Sequence, residues 1–435
     1  MINKNHNLVV WGIYLIVFSL PAYLLRLTVL NIPFTALEIL IYALFIAWLT
    51  KNHPFLFFKK FKEYFWANSY NKILTIGILL LLFGATVSTT FSPDLKISFG
   101  ILKGWFLVPL LFFIVLISVI GSPKQVANVV KSFFLSGFIA AAISLVYFFS
   151  PSLGGLSYDN RLHGFYLSPN HLAMYLAPAL IAGVFLFCCS KRNRAEKIFL
   201  LIALAVIFIP FYLTYSYAAW AALGFSLFLL LYFLIKKLSL GKKLLLLAAC
   251  GLLFLVMAFN QTSADKFKNL KNLSYRSSIN SRLMIWRAAW LIGKDHPLLG
   301  IGPGNFQKYY LDYQSRVLGT GPYLEWAVPQ PHNIFLAFWL ETGILGLAGF
   351  ILLLFWFFRA GLDNFRKNKP LFALLFSLMV YTLIHGLVDT TYWKNDLSII
   401  FWTIIGLAVV LLAPIRDKPL SKAGKNVFPK SSTGY

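Results

Sequence analysis

His332 stands in Pro329-Gln330-Pro331-His332-Asn333, immediately before a long apolar run. The two prolines fix where that run begins, so the imidazole sits at its mouth. As a side-chain type, imidazole titrates near neutrality and could take a proton from an incoming hydroxyl. It could equally serve as a hydrogen-bonding group at a membrane interface. Upstream runs Ser281-Arg282-Leu283-Met284-Ile285-Trp286-Arg287-Ala288-Ala289-Trp290. At about 100° per residue, Ile279, Leu283, Trp286 and Trp290 form one apolar stripe, with Arg282 and Arg287 on opposite edges about 140° apart. This pattern predicts a helix on the membrane surface with its indoles at headgroup depth. Its arginines either snorkel to water or hold an anionic headgroup, because a guanidinium fork matches phosphate oxygens bidentately.

A third arginine, Arg161, lies in Tyr158-Asp159-Asn160-Arg161-Leu162-His163-Gly164 and the following turn to Asn170. It is either a solvated partner of Asp159 or a further cation near the membrane. Gly300, Gly302 and Gly304 are spaced like a phosphate loop, but no Lys-Ser/Thr follows and no strand precedes, so a compact turn leaving the Arg282 helix is expected. Two acidic residues fall at or inside apolar runs: Glu341, and Asp389 with His385 one turn earlier. Intramembrane ionisable groups are functional candidates, and polar contacts between helices explain them as well. No acidic pair of glycosidase type flanks His332 in sequence, and no His/Asp/Glu cluster has metal-ligand spacing, so no metal and no cofactor is expected.

These groups have to be positioned by membrane spans. Of 435 residues, 59% are hydrophobic and 12% charged, where soluble domains carry about 25% charged. That excludes an ordinary soluble enzyme, a disordered chain and a disulfide scaffold; Cys188, Cys189 and Cys250 all fall in apolar runs. Crossing the hydrocarbon takes about 20 mostly apolar residues. Twelve runs qualify, near 8–28, 32–50, 73–90, 97–119, 132–150, 170–189, 198–214, 216–235, 244–260, 332–358, 370–389 and 397–413. The first has no cleavage signature and reads as an anchor. No internal repeat is evident. The expected architecture is an all-α polytopic protein, one integral domain over 1–435, with a large loop at 261–331 between spans nine and ten and a basic tail at 415–435.

The net charge of +25 divides unevenly. Alternate connections, with the N-terminus and the tail, hold 25 of the 39 basic residues and four of the 14 acidic ones. Positive charge concentrates on the cytoplasmic side, so both termini are expected there and the 261–331 loop faces outward. Most of the charge excess is therefore topology and needs no nucleic acid. The loop itself has nine basic and four acidic residues, an excess of +5 on the other face.

Taken together, the segments resemble the O-antigen ligase family, the membrane glycosyltransferases related to O-antigen polymerases. The resemblance rests on Arg161 to Asn170, on Ser281-Arg282 to Trp286 followed by His296-Pro297-Leu298-Leu299-Gly300-Ile301-Gly302, on Pro331-His332-Asn333 with Glu341-Thr342-Gly343, and on His385-Gly386-Leu387 with Asp389 and Phe401-Trp402. It implies a GT-C-type fold of about twelve helices with a large periplasmic loop. It implies transfer of a glycan from undecaprenyl diphosphate to an acceptor hydroxyl, lipid A-core for a ligase, without metal or nucleotide sugar, at the outer face of a bacterial inner membrane. Carried onto this chain, the essential loop arginine matches Arg282 and the essential histidine His332. Arg161, Arg287, Asn333 and Tyr217 would bind the diphosphate or glycan, with Asn170, Glu341 and Asp389 in support. One departure stands out: family members often place an arginine after the serine of the turn between the seventh and eighth spans, where this chain has Tyr217. Either Arg161 or Arg287 covers that side, or the donor differs. Alternatives are a repeat-unit polymerase, a protein O-oligosaccharyltransferase and, from another class, a flippase, which internal repeats and midplane charges would favour.

Overall fold

In a computed structural model the described residues are 4–29, 32–50, 69–157, 159–189, 193–234, 278–318, 328–364 and 368–412, with single residues 241 and 251. The helices are α1 (Lys4–Phe18), α2 (Ala36–Leu49), α3 (Ser69–Thr90), α4 (Leu95–Val119), α5 (Pro123–Phe149), α6 (Pro169–Cys189), α7 (Arg194–Leu213), α8 (Tyr217–Leu234), α9 (Ser278–Asp295), α10 (Phe306–Leu318), α11 (Ile334–Asn364), α12 (Lys369–Gly386) and α13 (Asn395–Leu412). A two-stranded antiparallel hairpin, β1 (Arg26–Val29) and β2 (Ile32–Thr35), joins α1 to α2. Among the described residues nine helices are long and apolar enough to cross a membrane: α3 to α8 and α11 to α13. This is a multi-pass, nearly all-helical membrane protein.

Three of the twelve expected spans differ or lie outside this description. The run 244–260 is outside the described residues, as are the basic connection 51–68 and the tail. The run 8–28 does not continue as one helix. It stops at Phe18, and a 3-10 turn over Leu20–Leu24 with Pro21 in its first turn leads into the hairpin. Proline lacks the N–H an uninterrupted helix needs, and the exposed Arg26 belongs to the polar end of the bundle. α1 and α2 are correspondingly shorter apolar helices.

Packing inside the bundle relies on small residues, since lipid offers no hydrophobic force between helices. α3 and α11 approach to backbone contact: a Cβ added at Gly84 would lie 2.3 Å from Gly346 N, and one at Gly349 2.3 Å from Leu81 N. Large aromatics fill what remains, with Phe338 stacked on Phe350 at 4.0 Å and both reaching the buried Tyr392, Trp393 and Phe401 region. α4 contains a π-helical stretch, Leu102–Leu107. It brings Lys103 to Glu38 of α2 (2.9 Å) and Trp105 Nε1 to Asn395 Oδ1 at the start of α13 (3.0 Å).

A second, smaller core belongs to the long loop. Met284, Ile285, Ala288, Ala289 and Ile292 of α9 pack with Phe306 and Tyr310 of α10 and Leu340 of α11. The buried face of α9 is therefore not the stripe expected from sequence. Ile279, Leu283 and Trp290 remain exposed (43%, 44% and 52%), and only Trp286 of that stripe is partly buried. Alanine made the packed face hard to see: it carries little hydrophobic weight in a helical wheel, yet it permits close helix contact.

Candidate active site

The connections between α1 and α2, α3 and α4, α5 and α6, α7 and α8, and α12 and α13 meet the long loop at one end of the bundle. Leu162 N donates to Leu213 O (2.9 Å), Ser98 Oγ to Pro303 O (2.7 Å), Gly302 N to Ser88 Oγ (3.1 Å) and Gln330 Nε2 to Trp393 O (3.2 Å). The candidate site residues named above, from Arg161 and Asn170 to His332 and Asp389, lie at this end.

His332 is its centre. The residue has φ +47°, a left-handed conformation that an L side chain adopts at roughly 1–2 kcal/mol. The neighbours hold it there. Trp286 Nε1 donates to His332 O at 3.1 Å, and Asn333 caps α11 by accepting from Phe335 N (3.0 Å) and Leu336 N (3.1 Å) while donating to Leu387 O (2.9 Å). The polar atoms of Asn333 are thus engaged in fixing the histidine's backbone. The other two non-glycine residues with positive φ, Asn160 and Tyr215, are in the two turns that carry Arg161 and Tyr217. Among the described residues, strain of this kind is confined to this end of the molecule.

The imidazole meets Asp389: His332 Nδ1 lies 3.0 Å from Asp389 Oδ1, with the histidine side chain 33% exposed and the aspartate 3%. A carboxylate only accepts, so Nδ1 carries the proton and Nε2 presents a lone pair toward the exposed side. Asp389 is further held by Thr390 N on Oδ1 (2.9 Å) and by Asn170 Nδ2 on Oδ2 (2.9 Å). Burial pushes this carboxyl's pKa up, but the hydrogen bond of His332 and the charge it carries once protonated, with His385 and Arg282 behind them, outweigh burial and hold it below the usual carboxylate range.

Two arginines are built onto the same carboxylate's surroundings. Arg161 donates from Nη2 to Asn170 Oδ1 (2.7 Å) and from Nε to Thr214 O (2.7 Å); Asp159 is at 3.8 Å. It is therefore no solvated loop arginine. A chain runs Arg161–Asn170–Asp389–His332, and Arg161 is within electrostatic reach of Tyr217. On the other side, Arg282 Nε donates to Val388 O (2.8 Å), one residue before Asp389. Arg287 is exposed and, among the described residues, bonds to none of these groups.

Glu341 does not face His332. Its Oε2 accepts from Gly304 N (3.0 Å), and the whole 298–304 turn seats on a break in α11. Gly343 (φ +68°) interrupts the helix, Ile301 N donates to Leu340 O (2.6 Å) and Ile344 N to Leu298 O (3.0 Å). Gly300, Gly302 and Gly304 all have positive φ, the compact turn expected in place of a phosphate loop. Sequence reasoning missed the brace beneath His332, where Thr390 Oγ1 donates to Gln330 Oε1. The position of Gln330 between two prolines was the available signal. Among the described residues no three His, Cys, Asp or Glu side chains converge to hold a metal ion.

Residues 202–351, which contain α9 with Arg282, the Gly turn, His332 and Glu341, match the family model described as O-antigen ligase. Over that stretch the chain is similar to the O-antigen ligase family. It is 27% identical over 312 residues to an O-antigen ligase of Salmonella typhimurium, covering 68% of this chain and 70% of that protein. It is 26% identical over 294 residues to a protein named polysaccharide ligase from Rickettsia typhi, covering 65% of this chain and 66% of that one. A like-named Rickettsia felis protein is 26% identical over 260 residues. The chain thus spans about two thirds of the length of these relatives. Arg161, Asn170 and Asp389 lie outside the family-model match and join the site only through the fold.

Proposed function

We propose that the protein is a glycosyltransferase that moves a glycan from undecaprenyl diphosphate to an acceptor hydroxyl at the outer face of a bacterial inner membrane, as an O-antigen ligase with lipid A-core as acceptor. The observation that carries this reading is the His332 Nδ1–Asp389 contact at 3.0 Å, which leaves Nε2 directed away from the carboxylate beside two anchored arginines.

The acceptor oxygen attacks the anomeric carbon, and His332 Nε2 takes its proton, a contribution of about 10²–10⁴-fold. The glycosyl–oxygen bond to the diphosphate breaks, and the electron pair leaves on the phosphate oxygen. Arg282 and Arg161 stand where that developing negative charge is met by fixed guanidinium groups. Asp389 stays ionised, holds the tautomer and stabilises the imidazolium that forms. In-line displacement inverts the anomeric configuration. The concentration of basic residues in alternate connections of the sequence supports an outward-facing site with both termini cytoplasmic.

The test is purified protein supplied with undecaprenyl-diphosphate glycan and, separately, lipid A-core, a lipid-linked glycan and a Ser/Thr peptide. Product on lipid A-core supports the ligase reading. Product only on the lipid-linked glycan or only on the peptide replaces it with a polymerase or a protein transferase.

A further inference from the structure

His385 is buried in the last turn of α12, four residues before Asp389, yet it bonds neither Asp389 nor His332. Side chains four apart on a helix lie one above the other, which sets its ring on Tyr381, also buried. The Tyr381 hydroxyl is 2.9 Å from His385 Nδ1 and donates across the helix interface to Ala173 O of α6 (3.2 Å). A hydroxyl has one proton, so with that proton on Ala173 O it accepts from Nδ1–H. His385 Nε2 is then a bare acceptor, sealed from solvent and without a partner. Burying it so costs stability. What the imidazole contributes here is its Nδ1 bond to Tyr381.

Among the described residues, two hydrogen bonds cross from α6 to α12 and the connection that follows it. Asn170 Nδ2, in the first turn of α6, reaches Asp389 Oδ2 (2.9 Å), and Ala173 O, three residues further along, holds Tyr381. One bond alone would let the helices slide or tilt; two at different heights fix their register. The connection also returns to the Tyr381 turn, where Thr391 Oγ1 donates to Thr382 O (2.7 Å). Gly386 leaves room for that return: a Cβ there would lie 2.9 Å from both Thr391 Oγ1 and Ile334 Cγ2. Ile334 is the first residue of α11, two after His332. A shift of the 381–385 turn therefore passes to Asp389 by two routes, along the chain and through Thr391.

We propose that Tyr381 and His385 are positioning residues, whose shared hydrogen bond to Ala173 O sets the register of α12 on α6 that brings Asp389 to His332. For its kinetic consequence this rests on the glycosyl-transfer reading. Both side chains act through Asp389 and lie beneath the site, one helical turn or more from the His332 contact.

Full-length wild type, Tyr381→Phe, His385→Leu and His385→Asn are compared in detergent by amide hydrogen exchange and by steady-state transfer. The asparagine amide takes the place of Nδ1–H and omits the unused nitrogen. Loss of one hydrogen bond corresponds to about tenfold lower kcat in Tyr381→Phe and His385→Leu, with donor KM little changed and faster exchange over 387–394. His385→Asn is expected to stay near wild type in both. Combining Tyr381→Phe with Asn170→Ala tests the route, since the pair should lose no more kcat than Asn170→Ala alone. Unchanged kcat and unchanged 387–394 exchange in Tyr381→Phe overturn the proposal, and so do additive losses in the double variant. A kcat loss that follows a lower melting temperature and is not rescued by asparagine also overturns it, leaving the two as ordinary core residues. Exchange requires no turnover, so failure of the transfer reading leaves that part of the test standing.

Discussion

His332 and Asp389 are separated by 57 residues in sequence and by 3.0 Å between Nδ1 and Oδ1. One begins a long helix and the other follows the next, so the pair exists only when α11 and α12 are packed side by side. Removing the carboxylate's charge is expected to disable the pair without emptying it. Asp389→Asn would have to accept from His332, Thr390 N and Asn170 with a single carbonyl oxygen. Its amide would then face a donor. Transfer is expected to fall about 10²-fold or more, with a smaller change in donor KM, read from steady-state rates of purified protein.

Asp389 also sets a pH dependence of stability. Its pKa is depressed in the folded protein, so its contribution is present above the unfolded value, about 3.9, and is lost as pH falls from there toward the folded value. Melting temperature is therefore expected to drop between about pH 5 and pH 3 more steeply in wild type than in Asp389→Asn. His332→Ala removes the leading opposing charge and should flatten the same decline. Parallel curves in all three proteins would contradict the assignment.

Arg161 is expected to resist conservative replacement. Its Nε and Nη2 reach two different acceptors, Thr214 O and Asn170 Oδ1, and a lysine ammonium cannot reproduce that fork. Arg161→Lys should lose most of what Arg161→Ala loses, about 10–100-fold in transfer for one or two charged hydrogen bonds. Near-complete rescue by lysine would show that only the charge matters.

Glu341 separates architecture from chemistry. It braces Gly304 N from within α11, so Glu341→Gln, which still accepts, is expected to transfer normally. Glu341→Ala should cost about 1–3 kcal/mol of stability through the orphaned N–H, with the activity of the folded fraction retained. A kcat loss in Glu341→Gln at unchanged stability would place Glu341 in the reaction instead.

Much of this was legible in the chain. Continuous apolar runs bounded by basic connections announce spans because the hydrocarbon admits little else, and nine of the described helices follow them. His332 and Arg282 were visible through their neighbours: prolines before the one, an indole-bearing helix around the other. What could not be read was pairing across helices. Asp389 looked like any acid at the end of a span, and its connection through Asn170 to Arg161 depends on how α6 meets α12. The buried face of α9 was hidden because alanines at 288 and 289 carry the close contact, while the bulkier Leu283 and Trp290 remain outside. The first span misled because Pro21 and Arg26 lie inside a run whose average hydropathy is high.

The most direct measurement is the rate of glycan transfer from undecaprenyl diphosphate by purified wild type, His332→Ala and Arg282→Ala, each checked for folding and membrane insertion. A base at His332 and a charge-stabilising group at Arg282 predict that His332→Ala is slower by about 10²–10⁴-fold and that Arg282→Ala loses transfer while remaining folded. Wild-type rates in both variants would contradict it.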